Sequence, residues 1–297
     1  MQIYVSGSLP QGRRRKSLKL TDDQREVVAK KIDGMVNRRY LTEGHVTSSL
    51  HYFAVPKGTT DVRIVYDGTS CGLNESLWAP NFFLPSSKSA ALVLSFSTTW
   101  MADANFGEMF HNFPMDERIQ KHSGVDVGQL RNHLTSGAGE MVRWARLFMG
   151  MKPSPYNSVR HCYWCEEFAR GDPARVTNPM RYDRIRLNLP GMTSYDPQLP
   201  KLMKWNELTG GGGKVDGDIT TFVDDVRMTG YSKENCLGVH RQFASMVQYN
   251  GPPRCSAKVQ TPVPRECRCL DGHHIQCRKK KQSLRMWVKT SGTRNEQ

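Results

Sequence analysis

Asp224 and Asp225 stand side by side at the end of a short apolar run, Ile219-Thr220-Thr221-Phe222-Val223. They are followed by Val226-Arg227-Met228 and then Thr229-Gly230. The pattern reads as strand, acidic turn, strand. A strand commits its apolar side chains to burial, so two carboxylates at its tip need a separate reason. A divalent cation supplies one, because Mg²⁺ takes hard oxygen ligands, commonly one or two protein carboxylates together with phosphate oxygens. Such a pair, completed by a third acid from elsewhere, builds the two-metal site of nucleotidyl transfer. A solvated hairpin turn supplies another reason. The pair alone does not choose between them.

The elements that must position this pair can be read from the surrounding pattern. Downstream, a helix is expected from about Ser232, with Cys236, Val239, Phe243, Met246 and Val247 on one face. Upstream, residues 156–170 read as a helix that ends before Gly171-Asp172-Pro173. Residues 21–41 read as a helix capped by Thr21 or Asp22, with Val27, Val28, Ile32 and Val36 near helical spacing. Two β-rich runs, 50–55 and 62–66, flank Lys57-Gly58-Thr59-Thr60-Asp61 and predict a hairpin with a basic tip. Residues 99–105 alternate as a strand does. A short helix is expected over 88–96, a helical segment over 127–148, a Pro-containing region over 173–200 and a flexible loop at Gly210–Gly213. No internal repeat stands out.

Composition narrows the function classes. The chain has 297 residues, enough for one large or two modest domains, with a mean hydropathy of −0.58. No apolar run approaches the roughly 20 residues that span a bilayer, and the N-terminus has no apolar signal region, so an intracellular protein is expected. The eight cysteines are scattered and read as reduced thiols. The net charge of +14 is concentrated at the two ends. Residues 1–31 hold eight Lys/Arg and three acids, and residues 254–297 hold eleven and three. Basic ends suit phosphate backbones and equally suit solvated tails.

Four segments, in order, resemble the fingers and palm of a reverse transcriptase, especially those of retrotransposons. The first is Phe53-Ala54-Val55-Pro56-Lys57, then Val62 to Asp67, then Leu73-Asn74. The resemblance implies that Lys57 and Arg63 grip the incoming deoxynucleoside triphosphate. A point charge and a bidentate fork suit a polyphosphate. The second is Phe148-Met149-Gly150-Met151-Lys152-Pro153-Ser154-Pro155, similar to the Gly-x-x-x-Ser-Pro segment whose backbone supports the template base and nucleotide. It implies substrate-side roles for Met149, Gly150 and Lys152, although Met149 stands where some members carry a polar residue. The third is Phe222-Val223-Asp224-Asp225, which matches the aromatic-x-Asp-Asp hairpin. It implies that Asp224 holds metal, Mg²⁺ or Mn²⁺, and that Asp225 supports it.

The fourth segment departs from the family. In Trp100 to Met115, Phe110 fits the aromatic that screens the sugar 2′ position and Pro114 fits a following proline. Counting back from either lands on Asn105, where the family carries a catalytic Asp. The nearest acid, Asp103, shares the face of Asn105 but lies about 6.6 Å away at roughly 3.3 Å per residue. Removing one unit charge about 4 Å from a dication forfeits about 8 kcal/mol of gross attraction at an effective dielectric near 20, before hydration offsets it. Each ~1.4 kcal/mol of that loss is tenfold in rate. The expectation is therefore a degraded active site, with Asp103 as the fallback ligand.

The resemblance implies an α/β (α+β) fold: a right-hand polymerase palm with an antiparallel sheet backed by helices, plus a fingers hairpin. It covers about residues 25–250 and includes no recognisable thumb or ribonuclease H domain. The expected organisation is a basic N-terminal arm over 1–20, fingers over 21–98, palm over 99–250 and a basic tail over 251–297. The implied partners are an RNA or DNA template–primer and deoxynucleoside triphosphates, with no membrane. The alternative is a catalytically inactive nucleic-acid-binding remnant of a retroelement. In the tail, Cys267, Cys269, His273, His274 and Cys277 lack the pair-of-pairs spacing usual for zinc. A one-base shift over Arg254 to Lys258 permits the Asp-Ala-Pro-Arg-Lys that related elements carry there, so the tail is read as disordered or out-of-frame. Cys162 and Cys165, one helical turn apart beside Trp164, read as core.

Overall fold

A computed structural model of the chain describes residues 2–13, 17–84, 100–197, 202–206 and 217–250, with the backbone of 263–264, 267–270 and 274–277. The expected helix over 88–96 and the loop at 210–213 lie outside the described residues, as does most of the tail. Contacts divide the chain into two units, Met1–Phe82 with Glu108–His161, and Phe83–Gly107 with Cys162–Gln297. In chain order the first unit contains β1 (Tyr4–Val5), β2 (Leu41–Thr42), β3 (Ser49–Lys57), β4 (Asp61–Asp67) and β5 (Leu77–Trp78). After β6 (Trp100–Asn105) of the second unit, it resumes with β7 (Gly124–Asp126) and β8 (Met141–Trp144).

The first unit is built on a five-stranded sheet in the order β2-β8-β7-β3-β4, antiparallel except where β3 meets β7. The helix Asp22–Asn37 starts as its sequence predicts. Thr21 accepts from the Gln24 amide and the Gln24 side chain accepts from the Thr21 amide, a reciprocal capping box. Its buried face, Val28, Ala29 and Ile32, joins the core around Trp144, Phe148 and Tyr66.

The segment 127–148 is not the helix expected. It is a 3-10 turn over Gly128–His133 followed by β8. Three glycines interrupt it, and Gly137 sits at φ +67. Beyond them Met141 to Trp144 alternate between half-buried and buried, a period of two that belongs to a strand.

An aromatic stack runs through this core. The His111 ring lies 4.9 Å from Tyr40 and 5.2 Å from Trp144, and Trp144 lies 5.2 Å from Phe148. Burial pushes the His111 imidazole down to about 4, because there is little water to solvate its cation. The unfolded chain binds that proton near pH 6.5 and the folded chain only near 4. The contribution is therefore complete above pH 6.5 and is lost as pH falls towards 4. Urea unfolding of the wild type should lose about 1.5 kcal/mol more between pH 6.5 and 5 than His111→Phe, which keeps a ring and removes the titration. Identical slopes would show that His111 is not the group responsible.

In the second unit, β11 (Gly217–Phe222), β12 (Asp225–Gly230), β6 and β13 (Val263–Pro264) form an antiparallel sheet in the order β11-β12-β6-β13. One face packs Ala102, Ala104, Ile219, Val226 and Met228 into a core that includes Cys236, Val239, Phe243 and Val247 of the helix Lys233–Asn250. Phe106 meets Phe243 edge-on at 6.0 Å. The helix Ser154–Arg170 ends on a partly buried guanidinium: Arg170 bonds the Asp218 carboxylate, Glu166 at 2.6 Å and the Ile219 carbonyl at 2.5 Å. Cys162 and Cys165 of this helix are core residues, and burial raises the Cys165 thiol to about 11.

Between that helix and the acidic hairpin, a strand pair that composition did not announce begins in the Pro-containing region and closes just beyond it. β9 (Arg184–Leu187) pairs antiparallel with β10 (Leu202–Trp205). In the tail, β14 (Cys267–Leu270) and β15 (His274–Cys277) pair with Cys267 opposite Cys277.

Candidate functional site

The acidic hairpin closes with Phe222 opposite Asp225, leaving Val223-Asp224 as a two-residue turn. Val223 sits at φ +57, a left-handed conformation that is costly for a β-branched residue. The Phe106 amide donates to the Asp224 carbonyl at 2.7 Å and ties the turn to the end of β6. Backbone strain of this kind persists only where the surrounding structure enforces it.

Register settles what faces what. β12 pairs with β6 so that Asp225 lies opposite Asn105 and Arg227 opposite Asp103. Alternation puts Ala102, Ala104, Val226 and Met228 in the core and the other four on the opposite face. There the Asn105 amide nitrogen donates to Asp225 Oδ1 at 2.9 Å. One step along, Arg227 grips Asp103 with two bonds, Nε to Oδ1 at 2.7 Å and Nη2 to Oδ2 at 2.8 Å. This bidentate geometry is the strong form of an ion pair.

The electrostatics follow. Burial raises the Asp225 carboxyl above its ordinary value, and the nearby Asp224 and Asp103 add to the shift against the opposing Asn105 bond. Asp103 is engaged by a fixed cation. Two carboxylates, Asp224 and Asp225, remain at the hairpin, and the third position presents an amide N–H to one of them. Among the described residues no group of three or more His, Cys, Asp or Glu side chains is placed to hold a metal ion. The set does not fit a complete two-metal centre.

The Arg227 side chain is only 10% exposed and that of Asp103 22%. Removing Arg227 alone leaves a half-buried carboxylate without its cation, beside Asp225. Arg227→Met should cost about 2–3 kcal/mol, and the double variant Asp103→Leu, Arg227→Met should recover most of it. Thermal unfolding of the four-member cycle measures the coupling, and additive losses would show that the pair is not a unit.

The remaining sequence candidates lie in the first unit. Lys57 and Arg63 share one face of the β3–β4 hairpin, because Val55 lies opposite Arg63 and Lys57 opposite Asp61. On that face Phe53 and Val55 are also exposed. Lys57 Nζ stands 3.9 Å from Asp61, whose other oxygen takes Lys31 at 2.8 Å. Phe110 lies in the 3-10 turn Met109–Asn112, half-buried against the core. Met149 and Lys152 are exposed.

Gly150 is fixed by geometry. At φ +105, a Cβ there would stand 1.8 Å from the Tyr66 carbonyl of β4. Asn74 clamps the same loop, donating to the Gly150 carbonyl at 2.9 Å and accepting from the Lys152 amide at 2.8 Å. Leu73-Asn74 carries the motif, but no local pattern reveals this clamp. Arg227 carries no motif either, although opposite charges two residues before Asn105 and two after Asp225 meet in one register.

No family model matches the chain, and no curated protein matches it by sequence. The likeness is to solved structures. The foamy viral protease–reverse transcriptase in complex with double-stranded DNA, in a form designated dRH, superposes with a TM-score of 0.56 at 12% identity, over 83% of this chain and 32% of that one. A second such complex gives 0.53 at 13%, over 83% and 38%. The native prototype foamy virus enzyme gives 0.51 at 13%, over 82% and 25%. The chain thus spans about a quarter to two fifths of the length of these proteins. The fold is reverse-transcriptase-like, with mixed and antiparallel sheets backed by helices. No helix among the described residues is long and apolar enough to cross a membrane.

Proposed function

We propose that the chain is the fingers and palm of a reverse transcriptase whose centre for template-directed nucleotidyl transfer has lost one of three carboxylates, and that it holds a template–primer without extending it. The observation that carries this reading is the Asn105–Asp225 hydrogen bond. An amide donor faces the hairpin carboxylate where a third anion is needed. In this reading Asp224 and Asp225 are the surviving positions for a divalent cation, Mg²⁺ or Mn²⁺. Lys57 and Arg63 retain the phosphate-gripping role, and Phe110 the screening of the sugar. Gly150, held by Tyr66 and Asn74, carries the template-side backbone, with Met149 and Lys152 beside it in the loop.

The motif spacing favours a retrotransposon origin, whereas the structural neighbours are viral enzymes. Residues 1–20 act as a basic arm, 21–98 as fingers and 99–250 as palm, with a basic tail beyond, in an intracellular setting. Nucleic-acid binding is supported by the fold, by neighbours solved on double-stranded DNA and by the basic ends. Fluorescence anisotropy with a labelled template–primer tests it. Affinity should fall at least about tenfold between 50 and 200 mM salt, as counterion release from two or more phosphate contacts requires. Absence of binding at the lower salt would overturn the reading.

A further inference from the structure

The strand pair β9–β10 contributes none of the residues assigned to the nucleotidyl-transfer site. It lies between the helix Ser154–Arg170 and the acidic hairpin, inside the second unit. Its sequence is unusual for a surface ribbon. The two strands, Arg-Ile-Arg-Leu and Leu-Met-Lys-Trp, hold three cations and no carboxylate. All four residues of β9 are exposed, with Ile185 48% and Leu187 49% open to solvent. A ribbon that buries neither face of one strand gains little from its own core, and an isolated two-stranded pair is marginal in water. Its composition therefore points to a ligand.

Register identifies the ligand's chemistry. Arg184 lies opposite Trp205 and Arg186 opposite Met203, so these four share one face. The Arg186 guanidinium lies 4.4 Å above the Trp205 ring, a cation–π stack that extends a flat π surface beside two charges. Arg184 and Arg186 are two residues apart, roughly 6.6 Å along the strand. On the other face Lys204 lies 3.4 Å from Asp218. Flat stacking groups beside cations are the combination that single-stranded nucleic acid selects, with bases on the π faces and phosphates on the charges. An acidic protein partner would match the charge but would leave the Arg–Trp platform without a use.

We infer that the Arg184/Arg186/Trp205 face of β9–β10 is a binding surface for single-stranded RNA or DNA. It rests on the reading that the chain handles nucleic acid, but not on the state of the acidic hairpin. The test uses the full chain and two probes, a single-stranded oligonucleotide and a duplex template–primer. In the double variant Arg184→Gln, Arg186→Gln, affinity for the single strand should fall about tenfold or more at low salt. The slope of log affinity against log salt should shrink by about 1.4, at roughly 0.7 per lost phosphate contact. Duplex affinity should change less. Unchanged single-strand affinity and slope, with duplex binding intact, would overturn this surface and leave the proposed function standing. Failure of the wild type to bind either probe would overturn both. A second measurement does not depend on a variant that folds. Photo-crosslinking of a 4-thiouridine oligonucleotide to the wild type should label the peptides that contain Arg184–Leu187 or Leu202–Trp205. Label confined to other peptides would contradict the surface.

Discussion

Asn105→Asp should destabilise the metal-free chain by about 2 kcal/mol and make its stability depend on Mg²⁺. The present amide donates to Asp225 Oδ1 at 2.9 Å. A carboxylate of the same shape replaces a hydrogen bond with two oxygens of like charge at that distance. Asp225 already carries a raised carboxyl, from burial and from its acidic neighbours, so the new charge adds to an existing repulsion. Losing the bond costs about 1 kcal/mol and the partly buried repulsion about as much again. A divalent cation would reverse the sign, because three carboxylates become ligands rather than competitors. Thermal melts with and without Mg²⁺ should then show a rise for the variant, by mass action on the folded state, and a much smaller one for the wild type. An equal Mg²⁺-dependent rise in both would show that the third carboxylate is not what the site lacks.

Gly150→Ala is the second large effect, and it acts through packing. The position is held at φ +105, where L side chains are strained by about 1–2 kcal/mol. The larger part is steric: the new Cβ would lie 1.8 Å from the Tyr66 carbonyl, so backbone must move. That shift would break the Asn74 clamp on Gly150 and Lys152. A loss of about 4 kcal/mol or more is expected, in the range reserved for backbone and network disruption. Gly58→Ala is the control. Gly58 has φ +73 at the tip of the β3–β4 hairpin with nothing within 4 Å of its Cβ position, so it isolates the conformational term. It should cost only about 1 kcal/mol. Equal losses in the two variants would show that the contact with Tyr66 does not govern this loop.

The parts of the fold legible in the sequence were those with a local cause. Thr21 announces a helix start, β-rich runs around a turn announce β3 and β4, and the apolar run before Asp224 announces β11. The region 127–148 misled because its apolar residues sit near helical spacing, while the glycines at 128, 137 and 139 and the period of two over 141–144 decide otherwise. β7 was not foreseen because it is three residues long and gains its place from pairing with β3 and β8, which no local pattern encodes. At the site, Asp224, Asp225 and Asn105 could be picked out by motif and count. The pairing of Asp103 with Arg227 needed the register, which joins residues 124 positions apart. The Asn74 clamp was hidden for the same reason, because its partners lie 76 and 78 residues away.

We propose that a reverse-transcriptase-like fold persists here without a complete carboxylate set for nucleotidyl transfer. Primer extension by the purified full chain, at saturating template–primer and deoxynucleoside triphosphates with Mg²⁺, tests it most directly. The expected result is a bound primer that is not lengthened above the no-enzyme control. Robust Mg²⁺-dependent synthesis would contradict it.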